Sequence, residues 1–169
     1  MSDTKNIKVG KEVVQIEAQA VLAIADRIDK QFDSAVCSIL DCKGRLIVLG
    51  VGKSGLISQK IASTMASTGT PAHFVHPGDA FHGDLGMITK NDVVLMISNS
   101  GETHELIQII PSIRKKNVPI IGMVGKENST LYNGVDFILD TSVEKEACTL
   151  DLAPTASTTA TLAMGDALA

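Results

Sequence analysis

Val93-Val94-Leu95-Met96-Ile97-Ser98-Asn99-Ser100-Gly101-Glu102-Thr103-His104-Glu105 is an unbroken apolar run that stops at a small polar turn. A helical pattern follows, with Leu106, Ile109, Ile110 and Ile113 at three- and four-residue steps. A strand apolar at every position is buried on both faces, and here it feeds a helix through hydroxyls and one glycine. The first N–H groups of such a helix lack intrahelical acceptors and carry partial positive charge. A loop this small lets an anion approach them closely. The stretch therefore predicts a phosphate site at the carboxyl end of a buried strand.

The same alternation runs outward in both directions. Apolar runs at Leu46–Leu49, Ala72–Val75, Val93–Ile97, Ile120–Val124 and Phe137–Leu139 predict five strands. Helical patterns fall between most of them, at about 54–67, 103–116 and 129–134, and a last helix starts near Pro154-Thr155. Continuously apolar strands joined by helices predict an α/β fold, a three-layer α/β/α sandwich with a five-stranded parallel sheet. Ligands of such sheets bind beyond the carboxyl ends of the strands, where strand order reverses. Ahead of the first strand, Val13, Ile16, Ala20, Ile24 and Ile28 mark an amphipathic helix over 7–30. Phe32, Val36, Ile39 and Leu40 mark another over 32–41. The long first helix has two uses, covering the sheet or packing on another subunit. The chain ends at Ala169 inside a helical pattern with no stop signal, as expected of a single domain, residues 1–169, truncated at its C-terminal end.

Composition narrows the function classes. The 169 residues suit one domain, 44% apolar and 20% charged. A net charge of −4 with 3% aromatics argues against nucleic acid or acidic membranes as partners. No apolar run reaches the roughly 20 residues a bilayer span needs, and the N-terminus is no signal peptide. Cys37, Cys42 and Cys148 form no CxxC pair, which fits reduced thiols in a cytoplasm; Cys37 and Cys148 read as packing residues.

Several loops could carry chemistry. Gly50-Val51-Gly52-Lys53-Ser54-Gly55 satisfies G-x-G-x-x-G after a strand, so a dinucleotide site has to be weighed. The second strand ends Phe74-Val75-His76-Pro77-Gly78 without the acid a ribose requires. A P-loop would need glycine at Ile47, inside the strand. What remains is a tight turn with Lys53 at its tip, either meeting an oxyanion or solvated. His76 to Gly86 is a long polar insertion whose two histidines, His76 and His82, suggest a site loop. His73 lies within an apolar run and reads as packed; His104, in a helix's first turn, reads as exposed. Glu102 and Glu105 suit a helix N-terminus, and a carboxylate beside a phosphate loop can also serve as a general base. Glu144 and Glu146 follow the last strand, and at most one of them is expected to face a pocket. The hydroxyls of Pro154–Thr159 either cap the last helix or add to a polar ligand or subunit surface.

Taken together, these motifs resemble a known family. Ile97–Thr103 is similar to the signature of the SIS (sugar isomerase) domain. Gly50–Gly55, Ala66–Pro71, His76–Gly86, Lys145–Cys148 and Leu152–Ala169 resemble the D-arabinose 5-phosphate isomerases within it, from about residue 10 onward. The resemblance implies interconversion of D-ribulose 5-phosphate and D-arabinose 5-phosphate through an enediol, feeding the Kdo sugar of lipopolysaccharide, with no cofactor required. It implies that Ser98, Ser100, Gly101 and Thr103 hold the phosphate, with Ser54 also binding substrate. Gly69, Thr70, His76 and His82 are then expected to line the sugar. Lys53, Glu105 and Glu146 match catalytic positions, with Glu146 ahead of Glu105 for proton transfer and Lys53 for charge stabilisation or ring opening. An inhibitory divalent metal such as zinc at His76 and a homotetramer whose subunits complete each other's pockets are further implications. Family members continue into a segment with another catalytic histidine and often paired CBS domains, which this chain lacks. Two other readings stay open, a non-catalytic phosphosugar-binding regulatory module and an isomerase of another phosphosugar.

Overall fold

The computed structural model describes residues 3–81, 84–150 and 152–169. Strands β1 (Leu46–Gly50), β2 (Ala72–Val75), β3 (Val93–Ser98), β4 (Ile120–Val124) and β5 (Phe137–Asp140) form one parallel sheet in the order β2-β1-β3-β4-β5. Pairing is in register along each neighbour, for example Leu46 with Val93 and Ser98 with Val124. The expected α/β sandwich is what the chain forms.

The two faces of the sheet separate by strand alternation. Leu46, Val48, Leu95, Ile97, Ile121 and Met123 point to one side, against helices α1 (Asp3–Ala25), α2 (Lys30–Leu40), α3 (Lys53–Ser67) and α7 (Ala156–Leu168). Ile47, Leu49, Val94, Met96 and Ile120 point to the other. There they meet Leu106, Ile109 and Ile113 of α5 (His104–Arg114) and Leu131 of α6 (Thr130–Gly134). Right-handed crossovers place α3 and α5 on opposite faces because the chain moves outward from β1 in one direction and from β3 in the other. The order therefore reverses between β1 and β3, and their carboxyl ends flank a crevice.

Local chemistry sets the element ends. Asp29 Oδ1 accepts the Gln31 N–H at 2.8 Å and starts α2, so α1 ends at Ala25 and Ile28 lies exposed in the turn. Ser129 Oγ accepts the Tyr132 N–H and caps α6. Buried Asp92 accepts the N–H groups of Arg45 at 2.8 Å and Thr89 at 2.7 Å, joining the loops that enter β1 and β3.

Helix α1 covers the sheet indirectly by packing along α7, and Thr159 donates to Glu17 at 3.0 Å between them. Lys60 of α3 pairs with Asp166 of α7.

Three sequence expectations need correction. His73 is exposed: β2 is the edge strand, and only its Ala72 and Val75 are buried. Cys37 is exposed because the packed stripe of α2 runs through Phe32, Ala35, Val36 and Ile39, leaving position 37 on the opposite side. The polar insertion after β2 is not loop throughout. It contains a short helix α4 (Pro77–Phe81) and a 3-10 helix at Asp84–Met87. Lys116, beyond the end of α5, anchors it by donating to the carbonyls of Leu85 at 2.6 Å and Ile88 at 2.7 Å.

Candidate functional site

A cavity of about 380 Å³ opens at the β1–β3 crevice. Ser54 and Ile57 of α3 line one side, and Ile97 to Ser100 with Thr103 line another. Glu146 and the start of α7, with Pro154, Ser157, Thr158 and Thr161, complete it.

The β3–α5 turn is organised from within by Ser98, which is 2% exposed. Its Oγ lies 2.7 Å from Thr103 Oγ1 and accepts the Gly101 N–H at 3.0 Å. Thr103 is the N-cap of α5, but its side chain makes no cap bond, since the hydroxyl is committed to Ser98. The opening N–H groups of α5 are thus left for an anion. Ser100 Oγ accepts the Glu102 N–H at 3.2 Å.

From outside, α6 clamps the same turn. Gly101 O accepts the Leu131 N–H at 3.0 Å, and Glu102 Oε1 accepts the Thr130 N–H at 2.8 Å. The Thr130 N–H, aided by the Thr130 side chain and nearby Lys126, holds the exposed Glu102 carboxyl below its ordinary range. Gly101 has φ +66°, and a Cβ there would collide with Ser129 Oγ. Only glycine meets both conditions.

Glu146 stands on a different wall. Its Oε2 accepts the N–H groups of Thr155 at 2.7 Å and Ser157 at 3.2 Å, and the Thr155 hydroxyl at 3.1 Å. Burial works to raise its carboxyl. The neighbouring Ser157 side chain, the two N–H donors and the Thr155 hydroxyl outweigh it and hold the group below the usual carboxylate range. It is therefore a partly buried, ionised carboxylate at neutral pH. Thr155 Oγ1 in turn accepts the Ala147 N–H at 2.9 Å, so loop and helix cap each other. Upstream, Arg27 donates to Ser142 O and lies 3.6 Å from Asp140, tying the end of β5 to the turn beyond α1. Glu144 is exposed and only Glu146 of the two acids faces the cavity. Residues two apart would share a face in an extended segment, so it is the bends at Glu144 and Ala147, and not alternation, that part them.

The sequence-predicted residues divide into two groups. Ser54, Ser98, Ser100, Thr103 and Glu146 line one cavity, and Gly101 shapes its turn. Lys53 is exposed at the first position of α3, next to Ser54, and does not line the cavity. Glu105 is half-buried in the first turn of α5, also outside the lining. His76 is exposed at the carboxyl end of β2. Its Nδ1 accepts the Gly78 N–H at 3.1 Å, which leaves Nε2 as the outward nitrogen. Gly69 and Thr70 precede β2, at the amino edge of the sheet, opposite the cavity. Within one chain they cannot join it. His82 lies outside the described residues.

Among the described residues no group of three or more His, Cys, Asp or Glu could hold a metal ion. His76 by itself offers one imidazole nitrogen, so this chain's described residues do not fit a metal site there. Sequence reasoning left Ile57 and Thr161 unassigned and named Ser157 and Thr158 only within a hydroxyl-rich helix start. The hydroxyl run Thr155–Thr159 was the available signal.

Comparison with known proteins agrees with this fold. Residues 39–169 match the SIS domain profile. The chain is 51% identical over 162 residues to arabinose 5-phosphate isomerase KdsD of Escherichia coli K12, covering 96% of this chain and 49% of that protein. KdsD of Yersinia pestis is likewise 51% identical, at the same coverage. The chain thus spans about half the length of the curated relatives it matches. A solved structure of E. coli CFT073 c3406 in complex with arabinose 5-phosphate superposes with a TM-score of 0.93. It is 41% identical, covering 99% of this chain and 89% of that one. Matched in sequence from Ile39 to Ala169 and in architecture across its sheet, the chain belongs to the SIS domain family.

Proposed function

We propose that this domain is an aldose–ketose isomerase interconverting D-ribulose 5-phosphate and D-arabinose 5-phosphate. One observation carries the reading: an uncapped helix start and an ionised, partly buried glutamate open into a single cavity. The cavity lies within the usual range of small-ligand clefts, about 300–1,000 Å³. The names of the relatives and the solved arabinose 5-phosphate complex supply the substrate.

In this reading the phosphate rests on the N–H groups at the start of α5 and the hydroxyls of Ser98, Ser100 and Thr103. Glu146 then faces the carbonyl end of the sugar. Oε2 is committed to α7, leaving Oε1 as the base. The carboxylate takes the proton from C2 of the aldose. The C–H electron pair forms the C1–C2 double bond, and the C1 oxygen gains a proton. Returning the carbon-bound proton to C1, with loss of the proton on the C2 oxygen, gives the ketose. Oxidation at one carbon balances reduction at the other, so no redox cofactor is consumed.

Lys53, Glu105, His76, Gly69 and Thr70 lie outside the cavity of one chain, as stated above. A homotetramer in which neighbours contribute to each other's pockets would give them access. Lys53 would then stabilise charge or open the sugar ring, and Glu105 would assist proton transfer. Among the described residues no helix is long and apolar enough to cross a membrane. We place the protein in the cytoplasm, its product feeding Kdo and lipopolysaccharide synthesis.

The test is formation of arabinose 5-phosphate from ribulose 5-phosphate by this chain and by its full-length form. Turnover is expected in the full-length form at least. Binding without turnover in both would make it a sensor instead, and turnover of a hexose phosphate alone would change the substrate class.

A further inference from the structure

Thr155 is the N-cap of α7, yet its side chain makes no cap bond. A threonine there ordinarily accepts the N–H of the second or third helical residue. In this chain the N–H of Ser157, the second residue of α7, goes instead to Glu146 Oε2 at 3.2 Å. The Thr155 hydroxyl serves the loop and not its own helix. It donates to the same carboxylate oxygen at 3.1 Å and accepts the Ala147 N–H at 2.9 Å. Thr158 and Thr161 spend their hydroxyls locally, on Thr155 O at 2.8 Å and Ser157 O at 2.7 Å. Thr155 does not line the cavity, so it reaches a ligand only through Glu146.

We propose that Thr155 is a positioning residue for Glu146, its hydroxyl fixing the orientation in which the carboxylate meets the sugar. The proposal rests on the isomerase reading and adds to it a residue that acts through the base. The N–H groups of Thr155 and Ser157 belong to the helix start and would hold any acceptor placed there. The hydroxyl supplies what they lack. One oxygen grips both the Glu146 side chain and the amide that follows Glu146 in the chain, so carboxylate and backbone are held together. A hydroxyl donor also favours the ionised carboxylate, the form a base needs. Among the described residues lining the cavity, Glu146 is the only ionisable one. A second groove that it shares is lined by Glu12 of α1, Lys145 and Cys148; Glu17 of α1 accepts from Thr159, and Glu144 is exposed. Burial and hydrogen bonds, and none of these charges, set the ionisation of Glu146.

The test is Thr155→Val beside Thr155→Ser, both in the full-length protein. Valine keeps the shape and the backbone N–H and removes the hydroxyl; serine keeps the hydroxyl. In Thr155→Val, kcat for arabinose 5-phosphate should fall about 10-fold or more, with KM and inorganic phosphate affinity within about 2-fold of the parent. The acid limb of its kcat/KM profile should move up by about one pH unit, the scale of one hydrogen bond to a carboxylate. Thr155→Ser should keep kcat and the limb near those of the parent. Should valine prevent folding, Thr155→Cys, with a weaker donor, should show the same changes in smaller measure. Unchanged kcat, an acid limb that stays in place, or turnover that serine does not preserve would overturn the assignment and leave the isomerase reading intact. Equal losses of kcat and phosphate affinity would also overturn it, because they would show general damage to the cavity. If the unsubstituted protein binds inorganic phosphate but neither binds nor converts arabinose 5-phosphate, the isomerase reading falls and takes this assignment with it.

Discussion

Glu146 and Thr155 lock the last loop to the last helix: Oε2 accepts the Thr155 N–H at 2.7 Å and its hydroxyl at 3.1 Å. One carboxylate thereby caps α7 and presents itself to the cavity. A carboxylate on an unanchored loop would lose orientation; Glu146 is held by the helix that forms the cavity wall.

Glu146→Gln separates the two roles. Glutamine keeps an oxygen that can accept the Thr155 N–H, so unfolding stability should drop by no more than about 1 kcal/mol. As a base it is useless, and turnover should fall at least about 100-fold. Steady-state kinetics beside a denaturant titration of the full-length protein checks both. Near-normal turnover with intact folding would move proton transfer to Glu105.

The same residue predicts a pH dependence. Its folded carboxyl lies below the unfolded value of about 4.3. The folded state therefore binds the proton less readily, and the stabilisation is full above the unfolded value. It is lost as pH falls through the folded one. The stability gap between the parent and Glu146→Gln should be flat near neutrality and shrink on acidification below about pH 4. A gap that widened on acidification would contradict the capping geometry.

Glu102 holds the β3–α5 turn without entering the cavity, through its 2.8 Å bond from the Thr130 N–H. Glu102→Ala should loosen the turn and weaken inorganic phosphate binding several-fold, while Glu102→Gln, which keeps the acceptor, should retain most of the affinity. Calorimetric phosphate titration of the two variants distinguishes a positioning residue from a base. A base would fail as glutamine and leave phosphate binding alone.

Gly101→Ala should be the most damaging single change in the turn. The positive φ of +66° strains any side chain, and the new methyl would strike Ser129. Strain alone costs about 1–2 kcal/mol, and displacing Ser129 would also undo the α6 cap. Denaturant unfolding should show a loss above about 2 kcal/mol once that cap's contribution of about 1 kcal/mol is added, together with loss of phosphate affinity.

Much of this was legible in the chain itself. Apolar runs unbroken over four or five residues mark strands covered on both faces, and β1, β3 and β4 are buried at every position. The same rule failed for His73, because nothing local says that β2 stands at the sheet's edge. Ser98, Ser100, Gly101 and Thr103 marked the tight polar turn that opens α5, since small side chains and a glycine there are encoded within a few residues. The Glu102 clamp was invisible, because its partner belongs to a different loop.

Sequence alone determined the order of elements, the parallel α/β class and the small polar turn between β3 and α5, because periodicity, turn residues and helix starts are encoded over short spans. Tertiary structure decided which distant residues share a space. The reversal between β1 and β3 brings Ser54, Ser98, Glu146 and Ser157 to one cavity. Gly69 and Thr70, by contrast, precede β2 in the parallel sheet and so lie at its amino edge, away from that cavity. Strand order results from the packing of whole crossovers on two faces, and no local pattern records it.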